Sequence, residues 1–132
     1  MMQVQDNLGV LNNPKLKDMF SPTETLLYSG ELLKINKKKL KQKRKIIITT
    51  ENLYNMRDDN IFLSALSNMG LTSLIKRQIP ITKITAIVYA RLGNEFVIHV
   101  PDEFDYRIID RHKDKLIEYI LYALKQQEVE EL

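Results

Sequence analysis

The chain has 132 residues, with 20 Lys and Arg against 17 Asp and Glu, and no cysteine. That is one domain's worth of chain with a globular composition, which excludes an intrinsically disordered polymer, a disulfide scaffold and a thiolate metal site. The net charge of +3 hides its distribution, because eight of the basic residues fall between Lys34 and Lys45 and leave 12 against 17 elsewhere.

In chain order, residues 1–25 contain Pro14 and Pro22 and read as an irregular extension that packs on the domain, with a helical turn at Pro14–Phe20. The opening MMQVQDNLG has neither a basic region nor an apolar stretch of signal-peptide type. No apolar run approaches the ~20 residues of a membrane-spanning helix. Lipidation signals, an N-terminal Met-Gly or a C-terminal Cys, are absent from the sequence.

A first strand is expected over 26–35, with Gly30 marking a bulge or a close approach. A second follows at 44–50 and a third at 53–57, joined by a tight turn at 51–53. Residues 58–73 form a long inserted loop in which Ile61, Phe62, Leu66 and Met69 could share a helix face and meet a partner. The fourth strand, 75–81, carries Pro80, which points to an edge or a strand end. The fifth covers 84–92. Gly93-Asn94 signals a turn into the sixth, 95–100, where Phe96, Ile98 and Val100 alternate with Glu95, Val97 and His99. The seventh is 105–109.

The last segment changes period. Leu116, Ile117, Ile120, Leu121 and Leu124 line one face of a helix from about Arg111 to Gln127, with Asp110 as its N-cap. Lys113, Glu118, Tyr122 and Lys125 are expected away from that face, and 128–132 read as an acidic tail. About seven antiparallel strands and one amphipathic closing helix give a mostly β fold of pleckstrin-homology type, a seven-stranded antiparallel barrel capped over 26–127 by its C-terminal helix.

Several segments carry a family resemblance. DNLGVLNNPKLKDMF (6–20) holds an Asp-x-Leu-Gly step leading to Asn-Pro-x-Leu. LLYSGELLKINKKKLKQKRKIIITTENLYNM follows, then IKRQIPITKITAI (75–87) with an Arg-x-Ile-Pro core, then NEFVIHVPDEFDYRI (94–108). In this order the pieces resemble the tail-homology-one domain of class I myosin tails, over nearly the whole chain. No phosphate-loop sequence occurs and the four glycines are scattered, so the resemblance is to that domain without a motor. The insertion 58–73 is longer than the family usually carries.

The resemblance implies a non-catalytic module that docks on anionic membranes, often through phosphoinositides. The family uses a Lys at the end of the first strand, matched by Lys34, and a basic-x-Arg pair on the second, where Lys43-Arg44-Lys45 stands. Residues two apart on a strand share a face, so Lys43 and Lys45 point together, and Lys34 is expected to join them from the paired strand. Lys37, Lys38, Lys39 and Lys41 then occupy the hairpin loop, and the cluster would meet acidic phospholipids. A protein-binding subunit of a cytoskeletal or ciliary assembly, in which the lysines meet acidic protein surfaces, is the alternative. RNA is the third reading, and it lacks an aromatic stacking platform within the basic segment. Each reading places the chain in the cytoplasm, at a membrane, the cytoskeleton or the cilium.

Nothing in the sequence requires a cofactor or a small-molecule substrate. His99 sits on the outward side of its strand and His112 in the first turn of the helix, so both read as exposed residues without metal-ligand spacing.

Overall fold

The computed structural model describes residues 2–56, 75–101, 103 and 105–131, with the side chains of 128–131 excepted. Among the described residues eight strands run β1 (Gln5–Asp6), β2 (Leu26–Ile35), β3 (Lys41–Thr49), β4 (Asn52–Met56), β5 (Ile75–Pro80), β6 (Ala86–Tyr89), β7 (Glu95–His99) and β8 (Tyr106–Ile109). The α-helices among the described residues are α1 (Pro14–Lys17) and α2 (Lys113–Glu131). The insertion 58–73, with Ile61, Phe62, Leu66 and Met69, lies outside the described residues.

The sheet order is β5-β4-β3-β2-β8-β7-β6, antiparallel throughout, with β1 added parallel to β2. Strand β2 pairs with β3 over nearly its whole length and with β8 only at Leu33–Ile35, so it passes from one half of the sheet to the other. Among the described residues no ladder joins β5 to β6, and the expected barrel is open along that seam. Pro80 ends β5 and a 3-10 turn over Ile81–Lys83 follows at once. Proline lacks the N–H that would continue a ladder, which is why the chain leaves the sheet here.

Both faces of the β2–β5 half are buried. On the inner face Leu32, Ile46, Ile48, Leu53 and Ile79 join Phe96, Ile98, Val100 and Ile108 from the other half. Helix α2 seals this core with Leu116, Ile117, Tyr119, Ile120 and Ala123. Burying each Leu or Ile contributes about 1.5–3 kcal/mol, so this seam holds the helix in place. The observed helix face differs from the expected one. Leu121 is 53% exposed, while Tyr119 and Lys113 are buried. Lys113 donates from Nζ to the Ala90 carbonyl at 2.7 Å, which satisfies the ammonium that the helical wheel had placed outside. Helix α2 also begins two residues later than expected. Asp110 therefore lies in the turn that leads into the helix and not at its N-cap, its carboxylate accepting from the His112 N–H at 2.8 Å.

Gly30 does mark a close approach. A Cβ there would collide with the Tyr28 ring, two residues back on the same face, and that ring packs 5.7 Å from Tyr119 of α2.

The outer face is covered by the N-terminal segment. Val10 and Leu16 pack with Leu26, Ile47, Tyr54 and Met56 into a second apolar cluster. The DNLG step of the sequence is the device that shapes it. The Asp6 carboxylate accepts from the Val10 N–H (2.8 Å), the Leu11 N–H (2.9 Å) and the Ser29 hydroxyl (2.6 Å). Gly9 then turns the chain at φ +71°, in the left-handed region. Asn13 caps α1 through the Lys15 and Leu16 N–H groups, with Pro14 in the first turn, where a missing N–H costs nothing. Burial works against charge on Asp6, but the hydrogen bonds from Leu11, Ser29, Val10 and Gly9 outweigh it, and its pKa lies below the usual carboxylate value.

Candidate functional site

The basic hairpin is a built turn. The Asn36 side-chain oxygen accepts from the Lys38 and Leu40 N–H groups, both at 2.9 Å, and its carbonyl accepts from the Lys39 N–H at 2.9 Å. Lys39 takes φ +65° to close it. Lys37, Lys38 and Lys39 therefore fan out from a fixed tip, with Leu40 exposed beside them.

The pairing register sorts the remaining basic residues by face. Lys34 is opposite Gln42, Leu32 opposite Arg44 and Gly30 opposite Ile46. Lys34, Gln42 and Arg44 thus share the inner face with core residues Leu32 and Ile46. Lys41, Lys43 and Lys45, opposite Ile35, Leu33 and Glu31, share the outer one. The expectation that Lys34 would join Lys43 and Lys45 is therefore corrected: they lie on opposite sides of the hairpin. Lys43 and Lys45 flank Glu31 instead, at 3.9 and 3.7 Å.

Where β2, β3, β5 and β8 converge, the inner residues make a cationic mouth around Tyr106. The Lys34 ammonium lies 5.0 Å from the Tyr106 ring centre and the Arg77 guanidinium 5.6 Å. Burial, then the nearby charges of Lys76, Arg44 and Arg77, lower the Lys34 pKa. Among the described residues no carboxylate pairs with Lys34. Arg44 donates to the Lys43 carbonyl and the Gln42 side chain, both at 2.8 Å, while its Nε is buried without a partner. Arg77 pairs with Glu103 at 2.7 Å. That bond, ahead of the opposing effect of burial, raises the Arg77 pKa.

Sequence reasoning centred on 34–45 did not single out Arg77, Lys76, Tyr106 or Glu103. A signal existed for Arg77: it lies two residues before the buried Ile79, and so on the inner side of β5. A cation on the core-facing side near a strand end marks a mouth.

The histidines form no such centre. His99 Nδ1 lies 2.6 Å from an Asp105 oxygen at an exposed position. No cluster of three or more His, Cys, Asp or Glu suited to a metal exists among the described residues.

A bent antiparallel sheet closed by a C-terminal helix, with a polar mouth at the first hairpin, defines a fold of pleckstrin-homology type. Solved structures agree on the fold. The N-terminal PH domain of human ARAP2 superposes with a TM-score of 0.55 at 20% identity, over 75% of this chain and 79% of that one. A DH/PH fragment of PDZRHOGEF, solved with human RhoA, gives 0.62 at 11% identity over 92% of this chain. This chain spans 36% of that fragment. The C-terminal domain of an unknown protein from Leishmania infantum gives 0.59 at 14% identity, over 89% and 99% of the two chains. A search of curated protein sequences found no match. The family model for the unconventional myosin tail, described as actin- and lipid-binding, matches residues 4–131, and the chain belongs to that family.

Proposed function

We propose that this domain docks non-catalytically on anionic membrane surfaces, taking a phosphorylated lipid headgroup in the mouth formed by Lys34, Arg44 and Arg77 while the hairpin lysines meet the surrounding leaflet. The observation that carries this reading is the placing of Lys34 and Arg77 over the Tyr106 ring on the inner face with the Arg44 charge near Lys34, which has no acidic partner among the described residues. Like charges brought together in a partly buried site cost energy, and an anion recovers it. Arg44 and Arg77 offer forked donors suited to phosphate, and Lys34 adds a point charge.

The tip lysines act differently. Each Lys near an acidic leaflet contributes ~1 kcal/mol. Four engaged residues give ~4 kcal/mol, a millimolar-scale affinity, so the surface attraction needs the headgroup pocket to hold the protein. The family description also favours a second reading, attachment to actin filaments or another acidic cytoskeletal polymer through the outer row Lys41 and Lys43.

Co-sedimentation separates them. Vesicles of phosphatidylcholine with and without phosphatidylinositol bisphosphate, actin filaments and polymerised tubulin are compared at matched ionic strength. Binding to the acidic vesicles that weakens steeply between low and physiological salt is expected, as screening demands. Equal retention on neutral vesicles, or sedimentation with a polymer alone, overturns the lipid reading.

A further inference from the structure

The mouth already contains one anion of the protein's own. Glu103 lies in the turn after β7, its N–H bonded to the Val100 carbonyl at 3.2 Å. Its Oε1 holds Arg77 at 2.7 Å, and its Oε2 is buried without a hydrogen-bond partner. Arg77 is thereby tied to a carboxylate on one side and to the Tyr106 ring on the other. Lys34, over the same ring, has no such tie among the described residues. Glu103 also borders a cleft of about 380 Å³ lined by Thr82, Lys83, Thr85 and Pro101, which gives a displaced carboxylate a basic side chain to turn towards.

We propose that Glu103 is a built-in occupant of the Arg77 arm of the mouth, which a headgroup must displace to use that arm, and that it thereby sets the charge an anion needs in order to reach Arg77. This rests on the lipid reading above. The physical reason is competition for one guanidinium. A phosphodiester or a lone carboxylate brings a single charge, no more than Glu103 itself, so it engages Lys34 and Arg44 and leaves Arg77 paired. A phosphate monoester carries −1.5 to −2 charges and three acceptor oxygens, so it displaces Glu103 while also reaching Lys34. The unpartnered Oε2 weakens the internal bond enough for exchange, since a buried acceptor without a donor is destabilising. Displacement is therefore a cost carried only by headgroups that use Arg77, and Glu103 tempers the preference of the mouth for clustered phosphate monoesters over singly charged lipids.

The test compares Glu103→Gln with Glu118→Gln, which makes the same change of net charge on the exposed side of α2, where Glu118 pairs with Lys115. Vesicles containing phosphatidylserine and vesicles containing phosphatidylinositol bisphosphate are titrated with each protein, with soluble inositol trisphosphate as competitor. Glu103→Gln is expected to tighten binding to bisphosphate vesicles about fivefold, because the cost of displacing the carboxylate is gone, and to phosphatidylserine vesicles by less, about twofold, so discrimination rises. Glu118→Gln should change both less than twofold. In an Arg77→Gln background, Glu103→Gln should have no further effect, because the two act as one unit. Release of the protein by inositol trisphosphate assigns recognition to the phosphorylated headgroup; failure to release it assigns binding to the bilayer surface and overturns the displacement. Equal behaviour of Glu103→Gln and Glu118→Gln overturns the role of Glu103 while leaving the lipid reading intact. A wild-type protein that binds neither vesicle overturns the lipid reading, and this inference with it.

Discussion

The two ends of the β3–β4 hairpin handle buried charge in opposite ways. At the turn end, Glu24 reaches in from the N-terminal segment and is saturated: its carboxylate accepts from the Thr49 hydroxyl (2.5 Å), the Tyr54 hydroxyl (2.7 Å), the Asn52 amide (3.1 Å) and the Ser21 N–H (3.0 Å). Burial, then the bond to Glu24, push the Tyr54 phenol pKa far above its usual value, which keeps it a donor. At the mouth end, Lys34 and Arg77 lie over one tyrosine ring with the Arg44 charge near Lys34, and Glu103 is the acid that pairs with Arg77. Groups that serve the fold have their hydrogen bonds completed within the protein. Groups at the mouth are left short of partners, which is a cost that a ligand can recover.

That contrast predicts which substitutions damage the fold and which damage binding. The largest effect belongs to the helix that seals the inner core. Ile120 is 1% exposed, and Ile120→Asp would bury an unpaired charge, costing at least about 4 kcal/mol. Calorimetry should find no cooperative melting, and a stable, cooperatively melting variant would show that α2 is not required to close the sheet.

Next comes the saturated end. Glu24→Ala strands the donors of Thr49, Tyr54 and Asn52, so a loss of about 2–3 kcal/mol is expected from urea unfolding, with lipid binding of the folded fraction unchanged. A loss of binding without a loss of stability would erase the distinction between the two ends.

A smaller effect is expected at Asp6, the other carboxylate completed by internal donors. Its folded pKa lies below its unfolded value, so its contribution is fully present above about pH 4 and is lost as pH falls through the folded pKa. Asp6→Asn should cost about 1 kcal/mol at neutral pH. The gap between the variant and the wild type should narrow on acidification. A gap that stays constant or widens below pH 4 would mean that the Asp6 charge is not what orders the N-terminal segment.

Much of this arrangement can be read in the residues. Strand β2 spans the ten residues expected of it, and Phe96, Ile98 and Val100 alternate into the core because one side of β7 faces outward, so the pattern is clean. The Asn-Pro step reads directly as a helix start. The side of β3 on which the basic residues project could not be read in the same way. Ile46, Ile47 and Ile48 are all buried, the outer two in the inner core and Ile47 beneath the N-terminal segment. A strand covered on both faces has no alternation to set its parity, and a parity error exchanges Arg44 for Lys43 and Lys45. Strand β1 has two residues and no period to detect. Lys113 is a third case, because a buried ammonium depends on the Ala90 carbonyl, 23 positions away. Arg77, Tyr106 and Glu103 come together only when β5, β8 and the turn after β7 converge, and no local pattern joins them.

The most direct test of the two-faced hairpin replaces equal charge on each side of it. Lys34→Gln with Arg44→Gln empties the inner pair, and Lys43→Gln with Lys45→Gln empties the outer pair, each removing two positive charges from the same hairpin. Binding of both to phosphatidylinositol bisphosphate vesicles is measured at physiological salt, with melting temperatures taken alongside. The inner pair should lose at least tenfold in affinity and keep or slightly raise its melting temperature, since like-charge repulsion is relieved. The outer pair should lose less than about threefold, the range expected of screened surface charges. Equal losses from the two variants, or a greater loss from the outer pair, would contradict a headgroup site on the inner face.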